Sequence, residues 1–168
     1  VKGAAALLKI VHELGSAGII GALVTHVVLL ARMPADPTAR LETCRTMGMV
    51  AQWVVVPSLG ACLVSGLFAM AIQPRFHDAG WAWIKALTGV GMLEGTFGSV
   101  VGPARDAAAA AARIAAGEGD PTELDALLRH ERNGLLAILF LSTLNVVLGV
   151  WRPRLRRQTA QKRSPERE

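Results

Sequence analysis

From about Ala4 to Met33 the chain is apolar, and within that run Leu14 to Ala31 is eighteen consecutive residues without a charge. At a rise of about 1.5 Å per residue this stretch crosses the roughly 30 Å hydrocarbon layer of a bilayer, which predicts a transmembrane helix. Three more such runs follow. Thr46 to Gln73 holds no charge, Trp81 to Gly102 is interrupted in its depth only by Glu94, and Asn133 to Trp151 is again uncharged. The expected fold is all-α: an antiparallel bundle of four transmembrane helices, spanning about 4–33, 46–73, 80–103 and 133–151. The first span reads as permanent, because it is too long for a secretory signal and no Ala-x-Ala type cleavage site precedes the Pro34-Ala35-Asp36-Pro37 turn.

Helices three and four are expected to extend beyond the membrane on the outer side as a hairpin over about 104–132. Ala104 to Ala116 is nearly all alanine, a strong helix former that Gly117 can terminate. Asp120-Pro121-Thr122-Glu123 then reads as an N-cap, a first-turn proline and a capping-box acid. The hairpin is either a docking surface for an outer partner or a plain connector. Pro57 predicts a kink in the second span, tolerated where neighbouring helices re-satisfy the freed carbonyl.

With 168 residues, 52% of them hydrophobic, and a mean hydropathy of +0.38, the chain is one membrane domain (1–152) with little soluble mass. Charge sets the orientation. Basic residues without matching acids gather at the termini and around Pro74 to Gly80, whereas the opposite side interleaves Arg with eight acids, so both termini are expected in the cytoplasm. Trp81, Trp83 and Trp151 fall at that same interface. The basic tail, 153–168, reads as a topology determinant that touches anionic lipid rather than nucleic acid.

Gly15, Gly18 and Gly21, the pairs Gly91/Gly95 and Gly98/Gly102, and Ala61, Ser65 and Gly66 mark faces where helices approach closely. Most serve the bundle itself, and a leftover face serves oligomerisation or a larger complex. Cys44, in a loop, and Cys62, mid-span, lie too far apart in depth for a disulfide. No phosphate-binding glycine loop, Ser/His/Asp order or Cys/His metal spacing is present, so no enzyme activity is assigned.

Four histidines carry the candidate chemistry. His12 and His26 are fourteen residues apart, about 21 Å along a helix and within about 40° of one face. That spacing is similar to the histidine pairs of membrane b-type cytochromes. His77 lies near the level of His12, and His130 on the side of His26. The alternatives are an interfacial His12 beside Lys9 and Glu13, and solvated His77 and His130. Glu94, the one acid deep in a span, is costly unless paired or protonated, and His26 is its expected partner. The group of His12, His26, His77, His130, Glu94 and Lys85 is thus a candidate haem b or quinone site.

The segments Lys9-Ile-Val-His12-Glu-Leu-Gly15, Pro57-Ser-Leu-Gly60, Gly80-Trp81-Ala-Trp83-Ile-Lys85 and Gly102-Pro103-Ala-Arg105 resemble a bacterial family of four-span integral membrane proteins of unknown function. They are distantly similar to the copper-resistance D membrane proteins and the haem-containing bacterial protoporphyrinogen oxidase. The resemblance implies a bacterial inner-membrane protein, with His12 as a haem ligand and Lys85 as a site residue. Two functions are therefore expected: a non-catalytic accessory or assembly subunit of a larger inner-membrane complex, or a b-type haem protein exchanging electrons with quinone. The expected partners are the lipid bilayer and other membrane subunits or further copies of the chain.

Overall fold

A computed structural model describes residues 2–151 apart from Asp78; the basic tail lies outside the described residues. Among these the chain is all-helical and without strands. The helices are α1 (Lys2–Ala31), α2 (Pro37–Val50), α3 (Val56–Ile72), α4 (Gly80–Thr96), α5 (Gly102–Ala115) and α6 (Pro121–Trp151). Two π-helical segments, Ala51–Val55 and Phe97–Val101, join α2 to α3 and α4 to α5. The result is four rods: α1, residues 37–72, residues 80–115, and α6. Three of them, all but residues 80–115, are long and apolar enough to cross a membrane. The remaining rod carries Lys85, Glu94 and several glycines.

Each rod packs on the next and α6 returns to α1. In the lower bundle α1 packs on α3 and α6, and α4 packs on the same two, so α1 and α4 occupy opposite corners of a square. The end bearing residues 32–36 and 116–120 is called distal here. Rods two and four both start there on the tripeptide Asp-Pro-Thr, whose Asp accepts hydrogen bonds at the helix start while Pro supplies a preset first turn. Asp36 accepts from the Ala39 N–H at 2.8 Å; Asp120 accepts from the Thr122 N–H at 2.8 Å and its hydroxyl at 2.7 Å. Gly117, at φ 82°, ends α5 as expected. Glu123 does not close a capping box; both its oxygens lie 2.7 Å from Arg113 Nη2, across the turn.

The distal extension is larger than a hairpin. Helix begins at Pro37 rather than near Thr46, so rod two rises beside rods three and four, and Cys44 is buried in α2 instead of lying in a loop. The alanine face is occupied: Ala107, Ala110 and Ala111 pack with Cys44, Leu124 and Leu128 into a distal core. Short side chains let the three helices come close there. A second core, with Ile19, Leu23, Leu59, Met92, Leu135 and Ile138 among its members, fills the rest of the bundle.

Outside, the two halves differ. Around the larger core the surface is apolar, with Leu14, Val28, Trp53, Phe68, Leu87, Phe97, Phe140 and Val147 exposed. Around the distal core the exposed side chains are charged: Glu42, Arg45, Arg105, Asp106, Arg113, Glu123, Asp125, Arg129 and Arg132. The change falls near Met49 on rod two and between Arg132 and Leu136 on rod four. From Trp53 to Ile72 the rod covers about 28 Å, close to the apolar thickness of a bilayer.

Both π segments begin six residues before a proline, Pro57 and Pro103, and they touch each other. Proline brings no N–H and crowds the preceding turn; one wide turn, closed by Val56 N–H to Ala51 O or Gly102 N–H to Phe97 O, makes room for its ring. At Pro57, where a kink is expected, the chain accommodates the proline ring with such a π turn. Next to Pro103, α6 passes so close that a Cβ on Gly134 would stand 2.5 Å from Ser99 O. Gly15 meets Ser58 O in the same way, at 2.8 Å. Gly21, Gly91 and Gly98, by contrast, face open space.

Gly134→Ala therefore forces rods three and four apart and is expected to lower stability by about 1–3 kcal/mol, read by thermal unfolding in detergent. Gly91→Ala serves as the neutral control. The Thr122 hydrogen bonds hold the Asp120 carboxyl below its ordinary pKa, so its contribution is full above the unfolded-state value and is lost as pH falls through the folded one. The protection of the Thr122 amide, its exchange rate compared with the intrinsic rate at each pH, should fall as Asp120 protonates, and Asp120→Ala should remove that fall.

Candidate functional site

Between the two cores lies a single polar layer. On α1 it falls between Leu23 and Leu30, on rod two between Cys44 and Ala51, and on α6 between Leu128 and Leu135. Its members are His26, Met47 and Glu131, all 0% exposed. His26 Nδ1 lies 3.0 Å from Ala22 O, one turn back, and Nε2 lies 2.9 Å from Met47 O on rod two. Glu131 Oε1 is 3.9 Å from Nε2, and neither Glu131 oxygen has a hydrogen-bond partner. Two turns up, at the distal surface, Arg40 and Asp125 form an ion pair between the same two rods.

The acid facing His26 is thus Glu131, not Glu94. Depth along the chain does not reveal corner position: Glu94 belongs to α4, diagonally across from α1, and it points away from the bundle. It lies eleven residues from both Trp83 and Arg105, about 16 Å each way, at mid-depth of the apolar surface. Among the described residues its carboxyl has no hydrogen-bond or ion-pair partner.

The other expected site residues are dispersed. His12 Nδ1 lies 3.0 Å from Cys62 O and 3.3 Å from Ser65 Oγ. Since Ser65 donates its own proton to Ala61 O at 2.6 Å, the His12 Nδ1–H is the donor in both contacts. The ring ties α1 to α3 beside Gly66. His77 is exposed in the turn after α3, its Nε2 2.9 Å from Met70 O, and His130 is exposed on α6. Lys85 lies against Gly149, where a Cβ would stand 2.7 Å from Nζ. One turn along the same α4/α6 seam, Thr88 donates to Asn145 Oδ1 at 2.9 Å, and Asn145 Nδ2 reaches Met92 Sδ at 3.4 Å.

A haem pair on His12 and His26 does not fit these residues. Axial ligation takes a nitrogen lone pair, and both His26 nitrogens are engaged with carbonyl oxygens inside a layer that solvent does not reach. His77 and His130 stand on exposed surfaces, apart from it. A hollow of about 250 Å³ lined by Val64, Leu67, Phe68 and Ala71 opens on the apolar exterior of α3, with no histidine at its edge.

Sequence reasoning missed Glu131, Met47 and the Thr88/Asn145 pair. Glu131 falls within the expected hairpin over 104–132, two residues before the uncharged run that starts at Asn133. The signal was there in the spacing: Leu124, Leu128, Glu131 and Leu135 follow one helix face.

A double-mutant cycle on Thr88→Val and Asn145→Leu should give a coupling of about 0.6 kcal/mol, and no more than about 2, the range of hydrogen bonds between helices in lipid. Compared with known protein families, with curated proteins and with solved structures, the chain finds no match in any of the three.

Proposed function

We propose that the protein is a non-catalytic accessory or assembly subunit of a larger membrane complex, its four rods crossing the bilayer in antiparallel order with both termini in the cytoplasm of a bacterial cell. The apolar exterior between Trp53 and Ile72, the charged distal layer, and the excess of basic residues near the termini support that placement.

One observation carries the subunit reading. Glu94 sits at mid-depth on an outward face, flanked by Leu87, Val90 and Phe97 and by the open glycines Gly91 and Gly98. A carboxyl facing lipid there is expensive, and acids in spans face protein or water instead. A neighbouring helix can cover it. The glycines one turn to either side let that helix come near, and the carboxyl selects one bearing Lys, Arg or His at the same depth. A second copy would set Glu94 against Glu94, so charge favours a different polypeptide.

A photo-crosslinking residue at Leu87 or Phe97, activated in native membranes, should trap another membrane protein, and Glu94→Ala should abolish that product while leaving the melting temperature unchanged. Crosslinks to lipid or to the chain itself alone would sink the subunit reading.

A further inference from the structure

His26 is more constrained than a packed core histidine needs to be. Both its nitrogens face carbonyl oxygens, at 3.0 and 2.9 Å, and a carbonyl only accepts. A neutral imidazole has a single N–H, so it would satisfy one carbonyl and set a lone pair against the other. Only the imidazolium donates to both. A buried cation requires a counter-charge, and Glu131 stands 3.9 Å away, equally buried and with no hydrogen-bond donor on either oxygen.

The surroundings leave that pairing undisturbed. From α2 the layer is approached by Cys44 and by Arg40, the latter held by Asp125. On rod three the buried residues between the two cores are Pro103 and Ala104, which bring neither charge nor donor, while Arg105 and Asp106 point outward. His130 and Arg132, the neighbours of Glu131 in sequence, are exposed.

We propose that His26 and Glu131 form a proton-binding latch, in which a proton held on an imidazole of rod one ties it to Met47 of rod two, with Glu131 of rod four as the counter-charge. The ligand is the proton itself. When it leaves Nε2 for water at the distal surface, the ring lone pair and Met47 O repel at 2.9 Å, and Glu131 becomes a buried carboxylate with no opposing charge. Both changes loosen α2, whose Cys44 and Met47 lie beside the layer. The loaded latch keeps the distal three-helix layer closed; the empty one lets it open. This device is independent of the surface around Glu94, which lies on another rod and at another depth.

The test is the nitrogen-15 spectrum of the histidine rings in lipid nanodiscs at neutral pH, with His26 assigned by its loss in His26→Gln. Wild type should show protons on both His26 nitrogens, and Glu131→Gln, equal in shape but uncharged, should show one. A neutral His26 ring in wild type overturns the proposal, and so does a ring still doubly protonated in Glu131→Gln. Opening is read separately, as maleimide labelling of Cys44 in a Cys62→Ser background at one fixed pH. Glu131→Gln and His26→Gln should each label faster by on the order of tenfold. Equal rates would remove the latch, and the wild-type spectrum decides the charge state even where a variant fails to fold.

Discussion

The bundle depends on one constraint: rods long and apolar enough to cross a membrane are as apolar outside as inside, so hydrophobic burial cannot tell their faces apart. What fixes the register is whatever polar group needs a partner on another rod. Here that is the layer of His26, Met47 and Glu131, set between two apolar cores and made by three different rods. Rotating or sliding any of the three would part the imidazole from the Met47 carbonyl and from the Glu131 carboxyl. The hydroxyl and amide contacts farther down, His12 to Cys62 and Thr88 to Asn145, repeat the same device at two more seams.

Close approach completes what the polar contacts begin. Gly134 on Ser99 and Gly15 on Ser58 bring backbones into contact beside the two prolines, so rods widened by a π turn are also the rods gripped most tightly. The distal layer uses alanine to similar effect, but in a charged setting where its packed face is shielded from water. Thus one chain runs two packing regimes in sequence, and the polar layer is where they meet.

Much of this was legible in the residues. Uncharged runs mark the rods, Asp120-Pro121 marks the start of rod four and Gly117 marks a stop, because each of these effects is local; Asp36-Pro37 reads only as a turn, which leaves the start of rod two at Thr46 instead of Pro37. The position of a rod around the bundle is not local. Depth alone pairs Glu94 with His26, whereas helix order places α4 at the opposite corner from α1. Glu131 falls within the expected outer hairpin, although rods two, three and four stay packed well beyond the apolar band. The π segments could have been read from spacing: Met47, Ala51, Val55 and Leu59, and likewise Met92, Thr96, Val100 and Ala104, recur every fourth residue, slower than an α-helical face alternating threes and fours.

That extra residue has a consequence for how the sequence is free to vary. An inserted residue turns everything beyond it by about 100° about the rod axis. Rods two and three each carry one, at the same level and in contact, and each distal half packs in the phase that its own insertion sets. Losing one insertion alone would swing a single distal helix out of phase with its neighbour, turning its alanine or cysteine face toward water. A one-residue deletion in either π segment therefore carries that rod's distal face away from α1 and α6, and a matching deletion in the other rod does not restore it.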